Sequence, residues 1–488
     1  MRDELRWIMD EAKKRGVSYS DIRLLEDEIE TIDTENGNVQ GIGKTFSKGF
    51  GIRVIVNGAW GFSSSSKIDK SEMEKVLDEA ISIAKASSKI KKEDVFLSEI
   101  EIYEDEFTPD VKIDPFAVGL DKKLNILYEA DKIMSKYNQV KIRRGSLFFN
   151  KQKKYFVSTE GSFIVQDRIV SGGGVEAYAI SDSGEVQKRS YPTSFGGDYS
   201  ISGWEFIENL KLVENSDRVA KQSVEILSAK PCPQGNMDIV ISSNQMALQI
   251  HESIGHPTEL DRVFGMEASF AGTSFLTPEK LNNFKLGSKI INITADATIP
   301  HALGGFGYDD EGVKAQRLYL VKDGDFVGYQ TSRETAHKVG LKPTGSMRAD
   351  GWNRIPIIRM TSINLEPGDM TFEDLISGVK DGIYVETNKS WSIDDKRLNF
   401  QFGCEIGWEI KDGKLGDMIK NPTYTGITYE FWRSCDGIGN KDLWHVWGLP
   451  NCGKGEPQQV MQVSHGAAPA RFRDIRVGVT RWEEKMKF

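Results

Sequence analysis

Residues 251–261 read His-Glu-Ser-Ile-Gly-His-Pro-Thr-Glu-Leu-Asp. This stretch holds two imidazoles, His251 and His256, with a carboxylate directly after the first and two more, Glu259 and Asp261, within five residues of the second. Imidazole and carboxylate groups are ligands that zinc and related transition metals accept. So many of these groups in so short a stretch predict a metal site, and the surrounding chain is expected to be built around it.

The spacing of the two histidines predicts a distorted helix. In the common zinc-peptidase helix the second histidine follows at i+4 on the same face, whereas His256 follows His251 at i+5. Five steps of about 100° overshoot one turn by roughly 140°, so both rings can face one ion only if the helix widens into a π-bulge or opens at its end. Residues 246–250 should form the helix that leads in. Gly255 loosens its last turn, and Pro257 biases His256 away from the α region.

Taken alone, this stretch also fits two buried structural histidines at a helix end, with Glu252 in solvent beside them. A cysteine far downstream changes the balance. Cys452 follows Pro450 and lies among glycines, a setting that predicts a loop whose backbone can approach a ligand closely. Because zinc accepts thiolate alongside imidazole, ligation is the better interpretation of this thiol when the two histidines are present.

Length and composition indicate a globular protein of two domains. The chain has 488 residues, which is more than one hydrophobic core usually serves. Of these residues 39% are hydrophobic and 28% charged, an ordinary composition for a globular protein. The net charge of -9 argues against nucleic-acid binding, which needs a basic face. No apolar stretch approaches 18 residues and the first seven are largely charged, so we expect a cytoplasmic protein without a membrane span. Four cysteines are too sparse for a disulfide framework.

Residues 1–230 predict a mixed α/β domain. Hydrophobic residues at i, i+3, i+4 and i+7 indicate an amphipathic first helix, and Asn57-Gly58 between apolar runs indicates a hairpin. The glycine triplet at 172–174 suggests a bend or bulge. Strands are expected near 22–25, 50–56, 141–157 and 164–179, and helices from Asp69, from Asp114-Pro115 and over 213–227.

Residues 231–488 predict a β-rich domain, after a proline- and glycine-containing linker at 231–235. The clearest strand is the alternation of apolar residues from Leu398 to Ile410, which places Cys404 on its apolar side. Shorter strands are expected at 237–241, 289–294, 317–321, 355–361 and 382–386. The predicted fold class is therefore α+β, with the metal site in the second domain.

The histidine segment and the Asn451-Cys452-Gly453-Lys454 element together resemble the TldD/PmbA family of zinc metalloproteases. The resemblance extends over most of the chain and includes residues 58–61, 309–312, 359–361 and 464–473. It implies that His251, His256 and Cys452 hold the zinc and that the chain is the metal-carrying, catalytic type of subunit. It also implies a homodimer, or a heterodimer with a metal-free relative. The chain departs from the family at Pro257-Thr258, where Gly-Leu is frequent.

The resulting hypothesis is a zinc-dependent peptidase. Three protein ligands would leave one position for water, whose pKa zinc lowers toward ~7, and Glu252 would act as the general base. Glu259 or Asp261 could orient a histidine from outside the ligand set. An ion held between a helix and β-rich loops can reach a peptide bond only in an extended chain, so flexible or unfolded peptides are the expected substrates.

Several polar residues outside the metal elements are weaker candidates. A carboxylate of Asp309 or Asp310 could hold the amino end of a substrate, although an acidic solvated turn fits equally well. Arg359, with Arg348 and Asn353, matches positions that the family resemblance places around the site. The remaining histidines lack partner spacing, so we expect structural roles for them. These are His301, His337, His445 and His465.

Two alternatives remain open at the level of sequence. In one, the zinc is structural and the protein is a scaffold or a substrate-binding subunit of a hetero-oligomer. In the other, the zinc hydrolase acts on small amides. A closed fourth coordination position would favour the scaffold, and a small sealed pocket would favour the amidase.

Overall fold

The computed structural model describes residues 1–269 and 272–478. The first half is built on one large antiparallel sheet with the strand order β3-β2-β1-β5-β6-β4, in which β7 and β8 also pair with β6 and only β4 runs parallel to its neighbour. Its strands are β1 Tyr19–Glu35, β2 Asn38–Val56, β3 Ala59–Ser65, β4 Glu104–Phe107, β5 Val140–Ser158, β6 Phe163–Ile180, β7 Val186–Tyr191 and β8 Asp198–Ser200. The helices are α1 Arg2–Lys14, α2 Lys70–Ser87, α3 Leu120–Met134, α4 Trp204–Leu210 and α5 Leu212–Ser228.

Most of the elements predicted in this half are confirmed. The apolar side of α1 is buried at all four expected positions, and Asp69 caps α2 by accepting a hydrogen bond from the Glu72 amide. The β2–β3 hairpin turns at Asn57 and Gly58, which both adopt positive φ. The helices pack against the sheet through two separate apolar clusters, one around α1 and α2 and the other around α3, α4 and α5.

Two predictions for this half are wrong. The helix expected from Asp114-Pro115 is broken, because Asp114 caps only a 3-10 turn at Pro115–Ala117 and α3 begins at Leu120. The glycine triplet causes no bulge, since β6 pairs with β5 through residues 172–174 without a register shift. A Cβ at Gly172 would overlap the ring of Tyr199, so close packing and not backbone bending requires a glycine here.

The second half carries many short strands and two large ones. The strands are β9 Lys230–Pro231, β10 Gly235–Ile241, β11 Ile293–Asp296, β12 Arg317–Lys322, β13 Asp325–Phe326, β14 Met347–Arg348, β15 Ile357–Ile358, β16 Ile363–Leu365, β17 Asp381–Ile393, β18 Asn399–Lys411, β19 Lys414–Lys420, β20 Thr423–Ile427, β21 Cys435–Ile438, β22 His445–Lys454, β23 Gln459–Ala467 and β24 Ala470–Val477. The helices are α6 Ser243–Ile250, α7 Leu260–Val263, α8 Arg333–Val339, α9 Phe372–Ser377 and α10 Thr428–Arg433.

Five of these strands close into a ring. The pairing order β17-β10-β24-β20-β18 returns to its start because β17 also pairs with β18. The large apolar cluster of this half joins side chains of the ring to Met246 and Ile250 of α6, so the helix that leads to the histidines is fixed against it. Separate small sheets flank the ring: β13-β12-β11-β16, the β14–β15 pair and the β22–β23 hairpin.

The structure confirms the α+β fold class, with about 25% helix and 42% strand. The alternating segment forms β18, and Cys404 is fully buried on it as predicted. The strand expected over 355–361 is limited to β15, because this segment pairs only with the two residues of β14. Among the described residues, no helix is both long and apolar enough to cross a membrane.

Candidate metal centre

The helix that carries the two histidines changes its winding at the first of them. The α-helix α6 ends at Ile250, residues His251–Gly255 form a π-helical turn, and His256–Thr258 form a 3-10 turn. The wider turn compensates for the i+5 spacing, and the two imidazole centroids lie 4.8 Å apart with their planes nearly perpendicular. The predicted distortion of the helix is therefore confirmed.

The predicted cause of the distortion is partly wrong. Gly255 has φ -57° and ψ -65°, and His256 has φ -62° and ψ -43°, so both remain in the right-handed helical region although Pro257 follows. The glycine is required by packing, because a Cβ at this position would overlap the sulfur of Met360. Pro257 is the second residue of the 3-10 turn, where its missing N–H leaves no helical hydrogen bond unmade.

The structure brings His251, His256 and Cys452 together. Each offers one metal-binding atom, and these three atoms all lie within 4.8 Å of one another. All three side chains are buried, with at most 4% of their surface exposed. Burial lowers the pKa of His251 to about 4 and that of His256 well below its usual range, so both rings are neutral and able to donate a lone pair.

The outer nitrogen of each ring already has a partner. Nδ1 of His256 lies 2.8 Å from Oε2 of Glu259, a carboxylate that accepts its proton and leaves Nε2 for a metal. Nδ1 of His251 lies 2.8 Å from Nε2 of His465, whose own Nδ1 lies 3.2 Å from the carbonyl of Ile363. Since a carbonyl only accepts, His465 carries its proton on Nδ1 and accepts from His251, and Nε2 of His251 is left free for a metal.

Cys452 lies in strand β22 and not on a loop, so the predicted loop position is wrong. The register of the β22–β23 pairing shifts between Leu449 and Cys452. This bulge is a local irregularity of the strand, and it lies next to the proline and glycines that had suggested a loop. Its sulfur lies 3.7 Å from Nε2 of His256. Burial raises the pKa of the thiol, but the charge of Arg359 and the contact with His256 outweigh it and lower the pKa.

Arg359 acts on Cys452 through the backbone as well as through its charge. Its guanidinium donates to the carbonyl of Cys452 at 2.5 Å and to that of Gln459 at 2.9 Å, and so it spans the β22–β23 hairpin. The side chain is fully buried. Arg359 therefore holds the hairpin in place and favours the thiolate form of the cysteine.

Glu252 lies on the π-turn between the two histidines and is not in solvent, since only 6% of it is exposed. Its Oε2 accepts a hydrogen bond from Arg397 at 2.9 Å. The ion pair fixes the direction of this carboxylate beside the histidine cluster.

Asp261 does not contact a histidine. Both of its carboxylate oxygens accept from the ammonium of Lys454, at 2.7 and 2.9 Å, and Lys454 also reaches the carbonyl of Ile358. The Asn-Cys-Gly-Lys element is thus tied to the histidine segment by a buried ion pair. Of the two acids that follow the histidines, Glu259 contacts a histidine, whereas Asp261 holds the strand that carries Cys452.

The acidic segment 309–311 is buried, so the expectation of a solvated turn is wrong. Asp309 accepts hydrogen bonds from three backbone amides, those of Glu311, Val313 and Met347, and burial beside Glu311 raises its pKa. Asp310 forms ion pairs with two residues of the first half, Lys154 at 2.6 Å and Arg23 at 3.4 Å. These contacts fasten the first half to the second.

The similarity of the chain to known proteins agrees with this geometry. The PmbA/TldA metallopeptidase C-terminal domain matches residues 234–479, domain 1 of the same group matches 20–84, and the central domain matches 113–230. The chain belongs to the PmbA/TldD family. All three candidate metal ligands lie within the part matched by the C-terminal domain of this family.

Curated members of the PmbA/TldD family that resemble the chain are named metalloproteases. A metalloprotease of Methanocaldococcus jannaschii is 29% identical over 86% of this chain and 89% of its own. A metalloprotease TldD homolog of Buchnera aphidicola (subsp. Schizaphis graminum) is 27% identical over 95% and 93%. A zinc metalloprotease TldD homolog of Saccharolobus solfataricus is 23% identical over 96% and 98%. The names indicate a metallopeptidase family.

Solved structures of other proteins show the same fold. A protein of Thermotoga maritima superposes with a TM-score of 0.77 at 19% identity, over 98% of this chain and all of that one. TldE from Thermococcus kodakarensis superposes with a TM-score of 0.72 at 15% identity, over 98% and 100%. At these identities the likeness establishes the fold alone.

Two residues that contact the site were missed by the sequence analysis. His465 was expected to be structural, yet it is the partner of His251, and Arg397 was not considered, yet it pairs with Glu252. Neither has a spacing relation to the histidine segment. A weak signal existed for His465, which lies within the residues 464–473 that carry the family resemblance.

Proposed function

We propose that this protein is a zinc-dependent peptidase that hydrolyses flexible or unfolded peptides. The observation that carries the proposal is the convergence of His251, His256 and Cys452, whose binding atoms lie within 4.8 Å of one another. In both histidines the outer nitrogen already has a hydrogen-bond partner. The other nitrogen of each ring is therefore free to bind a metal ion in the same cluster.

The donor set fits zinc. Two neutral imidazoles and a thiol of lowered pKa are ligand types that zinc accepts. A tetrahedral ion at about 2.0–2.3 Å from its ligands separates them by roughly 3.5 Å, and the 3.7 Å between Cys452 and His256 is close to this. When bound with three protein ligands, zinc acts as a Lewis acid and makes water acidic enough to attack a carbonyl near neutral pH.

Glu252 is the residue that we assign to proton transfer. Its carboxylate is adjacent to His251 in sequence, buried on the same π-turn, and held by Arg397. A carboxylate in this position takes a proton from the attacking water and passes it to the leaving amine. Arg397 orients the carboxylate for this transfer.

We also propose a paired assembly for the active protein, either a homodimer or a heterodimer with a metal-free relative. The structural likeness to TldE supports the second form at the level of fold. A paired enclosure would admit extended chains and exclude compact domains. We further infer a cytoplasmic location, which the four free cysteines support because thiols persist in a reducing compartment.

The proposal predicts about one zinc per chain in protein purified without chelator, together with cleavage of an unfolded peptide. Elemental analysis and a peptide assay on the same preparation test both parts. A tightly folded domain that contains the same peptide sequence serves as the control and should be spared. Protein that binds no zinc, or that cuts the folded control as fast as the free peptide, would contradict the proposal.

A further inference from the structure

A cavity of about 570 Å³ lies where the first sheet meets the β22–β23 hairpin. One wall carries side chains of β1, β5 and β6, and another carries Pro450 of β22 and Met461 of β23. Phe148, Phe306 and Trp352 give the cavity apolar surface. Its size is within the range of ligand sites in proteins.

This cavity and the candidate metal centre share the β22–β23 hairpin. Met461 is paired with Cys452 in the β22–β23 register, and Pro450 precedes Cys452 by two residues, about 7 Å along a strand. Arg348 on the cavity wall donates to the carbonyls of Gln462 and Met360, and the sulfur of Met360 fills the space beside Gly255 between the two histidines. A substrate in the cavity would therefore lie beside the hairpin that carries Cys452.

Two arginines on the wall, Arg168 and Arg348, form no ion pair in the part of the chain that the structure describes. Arg168 donates to the carbonyl of Leu303, and Arg348 donates to its two carbonyls and lies over the ring of Phe306. Within the described residues, neither guanidinium is in an ion pair with a carboxylate, and the Nε of each is buried without a hydrogen-bond partner. Buried polar groups in proteins are usually satisfied by a protein group, by water or by a ligand, so these two guanidiniums are free to bind an incoming partner.

The carboxylates of the same wall are near enough to act on these arginines by charge but form no ion pair with them. Asp27 is hydrogen-bonded to the amides of Gln152 and Asn150; the charge of Arg168 acts on it, but among the described residues it forms no ion pair. The other three each have a cation of their own: Asp310 with Lys154 at 2.6 Å, Asp167 with Lys153 at 3.2 Å, and Asp350 with Arg354 at 3.8 Å. The lining carries four carboxylates and four cations in all, and the two cations that form no ion pair within the described chain are Arg168 and Arg348.

The electrostatic cost of this arrangement is visible in both arginines. Burial, with the charge of Arg168 and of Arg359, lowers the pKa of Arg348 to about 9, and burial lowers that of Arg168 to about 10. Both remain charged at neutral pH, so an incoming anion would be stabilised. A planar guanidinium binds a carboxylate through two parallel hydrogen bonds.

We propose that Arg168 and Arg348 bind a carboxylate of the peptide substrate in this cavity, beside the hairpin that carries Cys452. The nature of the ligand rests on the proposed peptidase function. The carboxylate can belong to the C-terminus of the peptide or to an acidic side chain. Asp309 and Asp310, the residues suggested for the amino end of a substrate, have carboxylates that are engaged by backbone amides and by cations.

The test is a binding experiment on the full-length protein that carries Glu252→Gln, so that peptides are not consumed. Three N-terminally labelled peptides are compared by fluorescence anisotropy: one with a free C-terminus and Gln, one amidated with Glu in place of Gln, and one amidated with Gln. We expect a free carboxylate to tighten binding by about 10-fold to 100-fold, as charged hydrogen bonds do. Tighter binding of the first peptide assigns the C-terminal carboxylate, and tighter binding of the second assigns an acidic side chain.

Three variants locate the effect. Arg348→Gln and Arg168→Gln should each remove most of the preference, whereas Arg354→Gln, on the same wall but paired with Asp350, should keep it. Arg168 makes fewer contacts than Arg348, so Arg168→Gln serves as the test if Arg348→Gln does not fold. Unchanged zinc content in a variant shows that its metal centre is intact. Equal binding of all three peptides would overturn the proposal, and so would an equal loss in Arg354→Gln.

The binding readout separates this site from the peptidase itself. A carboxylate preference in a protein that cuts no peptide would end the peptidase proposal and leave the cavity assignment in place. Peptide cleavage by a protein without this preference would support the peptidase proposal and end the cavity assignment.

Discussion

His256 and His251 are each held by one outer side chain, and the two partners differ in how far the sequence could reveal them. Glu259 follows His256 by three residues and was a candidate on spacing alone. His465 follows His251 by 214 residues, and only the place of β23 beside α6 brings the rings together. Contacts made by the tertiary fold leave no periodic signal in a single sequence.

The contact between His465 and His251 makes a prediction at the scale of one residue. His465→Ala removes the acceptor that fixes the tautomer and direction of His251, so zinc affinity should fall by about 10- to 100-fold. Competition with a chromophoric chelator measures this. His337→Ala, at an exposed histidine, is the control and should leave the affinity unchanged. Wild-type affinity in His465→Ala would show that the contact does not orient the ligand.

Asp310 illustrates what residue patterns cannot show. The acidic run suggested either a substrate contact or a solvated turn, but the cations that neutralise Asp310 lie far away in sequence, at Arg23 and Lys154. The electrostatic environment of a carboxylate depends on those neighbours. The same limit applies to Arg397 and Glu252.

At the scale of elements, the π-turn could be predicted from the sequence, because helix geometry fixes the direction of a side chain at i+5. The reason for Gly255 was not, since it depends on the sulfur of Met360 more than a hundred residues away. Likewise β18 was found from its alternation, whereas β1 and β2 extend well beyond the predicted segments. Their distal parts are polar and partly exposed, and pairing along a long hairpin stabilises them without an apolar pattern.

The packing of Gly255 predicts the effect of a single methyl group. Gly255→Ala should overlap Met360, destabilise the protein by about 1–3 kcal/mol and weaken zinc binding, because the π-turn must shift. Thermal unfolding and zinc titration measure the two effects. Gly41→Ala, on β2 with open space around its Cβ, should change neither. If Gly255→Ala behaves like this control, then the close packing does not hold the turn.

At the scale of the whole molecule, buried charges join the two halves. Arg189 of β7 donates to Thr387 and Glu405 in the closed strand ring, and Ser190 donates to Glu405 as well. We retain domains 1–230 and 231–488 as a proposal, with the boundary at β9, which pairs with β19 of the second half. The α+β class was predictable from the local patterns of strands and helices. The ring closure and the cavity were not, because they arise from pairings between distant segments.

The account depends most on Glu252, which separates an enzyme from a zinc-holding scaffold. Glu252→Gln keeps an oxygen that can accept from Arg397, so the fold and about one zinc per chain should be retained. Turnover of an unfolded peptide should fall by about 10²–10⁴-fold, the contribution of a positioned general base. His251→Ala is the matched comparison and should lose the zinc together with the activity.

The decisive measurement is therefore zinc content and peptide turnover on the same preparation of Glu252→Gln. The account predicts full zinc with turnover reduced at least a hundredfold. Cleavage at the wild-type rate would contradict the assigned mechanism, and loss of the zinc would make Glu252 a ligand of a closed structural site.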